Sequence, residues 1–267
     1  MLRNSTLPDR LRWLPLGLAM IGALGFAACS DDEDDEAVAE VQAAYDRIQA
    51  GPSPEEALDL VTDDFAENAF GGLVTNEEAV ADPAPVVQDY EIDVDGDTAT
   101  LDGVEVLTVE DSGVSQTGGT RWTFKKEDDT WKLDDIEPRE IDGPDGAPDV
   151  GVRLLDFAFE FDEDDFEAGE ALAITAENDG DQPHIIVLVK VEEGVDLQEA
   201  LESEEEPEGI TTILDFFWNE GDTGTVYTTQ ELEAGDYAMI CFLPDVTDPA
   251  NKPPHFEQGM LSEFTVD

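Results

Sequence analysis

Beyond residue 29 the chain has two histidines, a single cysteine and two methionines. His184 follows the turn-forming run Asn178-Asp179-Gly180-Asp181-Gln182-Pro183 and opens an apolar segment. Cys241 closes the segment Gly235-Asp236-Tyr237-Ala238-Met239-Ile240-Cys241-Phe242. His255 and Met260 sit together in Pro254-His255-Phe256-Glu257-Gln258-Gly259-Met260. Taken singly, each has an ordinary structural reading: a capped strand histidine, a small buried apolar cysteine, a core methionine. Taken together they form a soft nitrogen and sulfur donor set. Thiolate and imidazole suit copper, and a weak thioether completes a site open to both oxidation states. Which imidazole nitrogen would bind is not encoded in the sequence.

The order is one early His, then Cys, His and Met before a last strand. It resembles the cupredoxin family of blue-copper proteins over about residues 150–267. The Asn-x-Gly turn before His184, the Gly-x-Tyr lead-in to Cys241 and the His-x4-Met spacing of His255 and Met260 carry the resemblance. It implies His184, Cys241 and His255 as equatorial ligands of one copper ion, with Met260 axial. It also implies outer-sphere electron transfer through an exposed edge of His255. Thirteen residues separate Cys241 from His255, where such loops usually have only a few. Pro244, Pro249, Pro253 and Pro254 either stiffen this excursion so that His255 returns, or hold it away.

Short strands must position these residues. Val152 to Phe161 alternates, and Glu170–Ala176, Ile185–Val191, Thr225–Leu232, Asp236–Leu243 and Leu261–Val266 read as strands. Asp196–Glu202 reads as a short helix before the acidic loop Glu204-Glu205-Glu206-Pro207. Turns rich in Gly, Asn and Asp between such strands suggest an all-β Greek-key sandwich.

The first half is of another type. Val38, Val41, Tyr45 and Ile48 have helical spacing over Ala37–Ala50. Gly51-Pro52-Ser53-Pro54 breaks that helix and starts a second one running to about Asp64. A short third is expected after Asn76. The period then changes to two, with strands over Tyr90–Val94 and Thr98–Val109 and a hairpin in Thr120–Leu133 turned at Glu127-Asp128-Asp129. Helices followed by a meander ending in TRWTFKKEDDTWKLDDI resemble the NTF2-like family over residues 37–137. Trp122, Phe124 and Trp131 read as core aromatics. The fold class is thus an α+β NTF2-like domain (37–140), a Gly/Pro/Asp linker (141–149) and an all-β Greek-key cupredoxin-like sandwich (150–267).

Residues 1–28 read as an export signal: Arg3, Arg10 and Arg12, then a Trp13–Phe26 apolar stretch of about 14 residues, short of the ~20 a spanning helix needs. Phe26-Ala27-Ala28-Cys29 resembles a bacterial lipobox. That implies cleavage before Cys29, a lipid on its sulfur and an extracytoplasmic, membrane-anchored protein. The acidic run in 29–36 reads as a solvated tether. With Cys29 lipidated, Cys241 is the remaining thiol in an oxidising compartment, so it needs burial or a metal to escape oxidation.

Net charge is −56; the leader carries three of the 12 basic residues and one of the 68 acids, which leaves the remainder near −58. Such a surface repels the phosphate backbone, so no nucleic acid is expected as partner. It suits a salty habitat, where ions screen self-repulsion, and a cationic redox protein is the partner its charge favours. There is no Ser/His/Asp arrangement and no Gly-rich phosphate loop, so an enzyme is not expected. Two functions follow: an anchored copper-handling protein or one-electron carrier, or a non-enzymatic scaffold with a copper-free sandwich.

Overall fold

The structure is a computed structural model and describes residues 32–50, 54–68, 86–109, 114–203, 208–248 and 252–267. The leader, Cys29, the expected helix after Asn76 and the Glu204–Pro207 loop lie outside the described residues. No helix among the described residues is long and apolar enough to cross a membrane.

The first half opens with α1 (Asp32–Gln49), α2 (Pro54–Leu58) and α3 (Asp63–Asn68). Helix α1 begins earlier than the Ala37 expected, and its first turns take in part of the run expected as tether. Acids are favourable there because the helix N-terminus carries partial positive charge. Val41, Ala44, Tyr45 and Ile48 form its buried stripe, at the three- and four-residue spacing of one helical face. They pack on an antiparallel meander of β1 (Val86–Asp95), β2 (Thr98–Val109), β3 (Val114–Glu127) and β4 (Thr130–Arg139). Trp122, Phe124 and Trp131 are buried in this core. Burial of one such aromatic contributes about 2–3 kcal/mol. Lys126 ties β3 to α1 through Glu40 at 2.9 Å.

The second half is a β-sandwich. Its strands are β5 (Asp149–Leu155), β6 (Ala158–Glu160), β7 (Ala171–Asn178), β8 (His184–Val191), β9 (Ile210–Trp218), β10 (Thr223–Glu231), β11 (Gly235–Ile240) and β12 (Leu261–Val266). Helix α4 (Leu197–Glu202) starts at Asp196, whose carboxylate accepts the Glu199 N–H. One sheet has the order β12-β11-β8-β9. Its inner face and that of β5, β7 and β10 enclose a second core around Leu154, Ile174, Ile186, Leu188, Leu214 and Met239. The single strand expected over Val152–Phe161 is a hairpin instead. It reverses at Asp156-Phe157, between the partners Leu155 and Ala158. Strand β9 has no counterpart among the expected strands, although its β-branched and aromatic residues favour extended backbone.

The halves on either side of residues 141–149 share one eight-stranded sheet. Strand β3 pairs with β10 through Val226↔Gly118, Tyr227↔Thr117 and Thr228↔Gln116, so its order is β1-β2-β3-β10-β7-β5-β6, with β4 on β3. The side chain of Gln116 then pairs with the backbone of Asp215 in β9: its carbonyl accepts the Asp215 N–H at 2.7 Å and its amide donates to the Asp215 carbonyl. A buried glutamine here occupies the place a neighbouring strand would take, capping polar groups that would otherwise be lost on burial.

Candidate metal centre

His184 is the first residue of β8 and is fully buried. The turn before it is locked by Asn178. Its buried amide donates to the carbonyls of Gln182 (2.9 Å), Trp218 (3.3 Å) and Asn219 (2.9 Å), and its Oδ1 accepts the Gly180 N–H at 3.0 Å. An Asn there is favoured because its short amide reaches its own neighbouring backbone. Cys241 follows β11 and is also fully buried. Its thiol accepts the backbone N–H groups of Ile185 and Leu243.

The long excursion after Cys241 closes on itself. Pro244 bridges Pro254, and the Asp245 N–H reaches the Pro253 carbonyl at 2.9 Å. The His255 N–H bonds the Leu243 carbonyl at 2.8 Å, and the Phe256 N–H bonds the Cys241 carbonyl at 3.0 Å. Farther out, Gln182 accepts the Val246 N–H at 2.8 Å, which ties the excursion to the His184 turn. The extra length is thus carried by a closed stem, and His255 returns beside Cys241. A short 3-10 turn, His255–Gln258, follows. Met260 is fully buried; its N–H bonds the His255 carbonyl at 3.0 Å, and its carbonyl accepts the Cys241 N–H at 3.1 Å.

Three donors converge. His184 Nδ1 lies 3.2 Å from His255 Nδ1, and Cys241 Sγ lies 3.4 Å from His255 Nδ1 and 4.0 Å from His184 Nδ1. A point equidistant from the three is about 2 Å from each, close to first-row metal–imidazole bond lengths, with metal–thiolate bonds slightly longer. No carboxylate belongs to this cluster among the described residues, which disfavours hard, oxygen-seeking cations. Two imidazoles, one thiolate and a nearby thioether are a donor set that fits one copper ion. The sequence left the nitrogen open; the fold turns both Nδ1 atoms inward.

Burial holds the centre uncharged without a metal. It pushes the Cys241 thiol up to about 11, partly opposed by the two N–H groups. It drives His184 down to about 4, with His255 adding to the shift, and it lowers His255. A metal would replace the thiol proton and meet two neutral imidazoles, the state in which each can ligate.

One expectation is corrected. His255 has no exposed edge: it is fully buried, and its Nε2 has no hydrogen-bond partner among the described residues. The ring of Phe157 stands edge-on to it at 5.2 Å. Phe157 has φ +65°, a left-handed conformation rare for bulky residues and costing on the order of 1–2 kcal/mol. Its neighbour Asp156 places Oδ1 3.3 Å from His184 Nε2. Sequence reasoning missed both residues, because a continuous strand hides a turn tip. The one available signal was an aromatic where a tight hairpin would favour Gly or Asn.

No protein-family model matches the chain, and no curated protein matches it either. Solved structures do. Reduced auracyanin from Roseiflexus castenholzii is 24% identical, with a TM-score of 0.32 over 46% of this chain and 99% of that one. Auracyanin A, a blue copper protein from Chloroflexus aurantiacus, is 22% identical, with a TM-score of 0.28 over 45% and 99%. Rusticyanin, a copper protein, is 14% identical, with a TM-score of 0.28 over 48% and 86%. Copper is the stated property of the latter two; what this chain holds rests on its own residues.

Proposed function

We propose that this chain is a copper-binding one-electron carrier, held at the outer face of a membrane by a lipid on Cys29. The observation that carries the reading is the convergence of His184 Nδ1, His255 Nδ1 and Cys241 Sγ within 4.0 Å in a buried pocket, with Met260 buried next to them. Copper, when bound, supplies a one-electron couple. His184 Nδ1, His255 Nδ1 and Cys241 Sγ would hold it, and Met260 would offer a weak thioether. The Ile185 and Leu243 N–H groups hold the thiolate sulfur, and the closed Pro244–Pro254 stem holds His255. Such donors, fixed by strands on each side, need little rearrangement between oxidation states. With His255 buried, the Phe157 ring, edge-on to it at 5.2 Å, would lie between the centre and a partner approaching from that side. A soluble form beginning at residue 30, given Cu(II), is expected to take up about one equivalent and show an intense thiolate-to-copper absorption, lost in Cys241→Ser. Failure of the folded protein to take up copper would favour the scaffold function.

The anchor is supported by the lipobox-like Phe26-Ala27-Ala28-Cys29 run and the short apolar leader. In a host that processes lipoproteins, Cys29→Ser should move the protein from the membrane to the soluble fraction; retention of that variant would count against lipidation. An NTF2-like reading of the first half is supported by its order of helices followed by a four-stranded meander. The acidic surface favours a cationic redox protein as partner and argues against nucleic acid.

A further inference from the structure

The hairpin tip between β5 and β6 contributes to the centre from outside the donor set. His184 Nε2 is buried and has no hydrogen-bond partner among the described residues, and the Asp156 Oδ1 lies 3.3 Å from it, within ion-pair reach but off hydrogen-bond alignment. The same oxygen accepts the Asp181 N–H at 3.1 Å, so the carboxylate is held across the His184 turn. Gly180 makes room for this approach. A Cβ there would stand 2.6 Å from Asp156 Oδ1 and 2.7 Å from His184 Nε2, closer than side-chain carbons come to such atoms.

We propose that Asp156 is a positioning residue for the metal centre: its carboxylate holds the His184 proton on Nε2 and so leaves Nδ1 bare toward Cys241 and His255. A neutral imidazole has one N–H and one lone pair, and its outer partner decides which nitrogen keeps the proton. An acceptor-only carboxylate at Nε2 selects the Nε2–H tautomer, as outer carboxylates do for ligand histidines generally. Without it, a proton on Nδ1 would point into the donor cluster and oppose metal entry. Gly180 is part of the device because any side chain there would separate carboxylate from ring.

The role of the tautomer rests on the copper reading, but its test needs no metal. In metal-free protein labelled with 15N-histidine, the His184 ring nitrogens should report the Nε2–H tautomer. Asp156→Ala should shift His184 toward a mixture of tautomers. Asp156→Asn, which keeps an acceptor oxygen, should restore the wild-type pattern. Gly180→Ala, whose backbone angles suit Ala, should act like Asp156→Ala. A folded Asp156→Ala protein whose His184 remains wholly Nε2–H would overturn the proposal. A wild-type protein with the expected tautomer that takes up no copper would leave the Asp156 contact standing and remove the copper reading alone.

Discussion

The Nδ1 atoms of His184 and His255 face each other at 3.2 Å across a buried pocket, although 71 positions separate them in the chain. Between two neutral imidazoles this approach allows at most one Nδ1–H···Nδ1 hydrogen bond. A cation held between them would be bound by both lone pairs. Copper should therefore stabilise the folded state, since a ligand that binds only the native form shifts the unfolding equilibrium. At free copper about 100-fold above Kd, the gain is about 2.7 kcal/mol. Thermal melts with and without Cu(II) should show this upward shift in the wild type and little of it in Cys241→Ser. Equal shifts in both would place copper elsewhere.

Phe157 combines backbone strain with a protective ring. Phe157→Gly removes the cost of φ +65° and also the ring over His255. The two effects oppose each other, so stability should change by less than about 1 kcal/mol. Access to the pocket should rise several-fold, measured as the alkylation rate of Cys241 in metal-free protein by a small thiol reagent. An unchanged rate would show that the ring does not shield the centre.

At Gly118 the two halves touch closely, because a Cβ would run into the ring of Phe216. Gly118→Ala should cost about 1–3 kcal/mol by forcing that ring or the β3–β10 pairing to move. Gly151→Ala, where a Cβ meets nothing within 4 Å, is the matched control and should be nearly neutral. Urea unfolding of both variants checks this; equal midpoints would mean the junction yields without strain.

Glu105 on β2, half-buried opposite Val87 and Gly118, has its carboxyl raised to about 7 by loss of solvent. The folded form therefore holds the proton more tightly than the unfolded one. Its contribution to stability is greatest below the unfolded value near 4.5 and is lost as pH rises through about 7. Glu105→Gln cannot ionise, so its advantage over wild type should grow from pH 5 to pH 8, reaching on the order of 1–2 kcal/mol. Comparing variant with wild type at each pH cancels the titration of other groups. A difference that stays constant with pH would show that Glu105 is not desolvated.

With a net charge of −56, self-repulsion should dominate stability at low ionic strength. Raising KCl from 0.1 to 1 M shortens the screening length from about 10 to about 3 Å. The melting temperature should climb over that range; a flat or falling profile would mean that ion pairs such as Arg121–Asp102, at 2.6 Å, outweigh the repulsion.

The sequence by itself determined the donor set, the strand that bears His184 and the one that leads into Cys241, the aromatic core of the first half and the acidic character of the surface. These follow from residue type and short-range period, which a linear reading captures. Tertiary structure alone decided that His255 returns to Cys241, because the Pro244–Pro254 stem closes through backbone bonds that no residue pattern announces. It also decided that His255 is covered, that Asp156 meets His184, and that Gly118 admits Phe216 where β3 joins β10. Each of these is a contact between segments distant in sequence. Their energies come from packing and desolvation, which depend on what arrives from elsewhere in the chain.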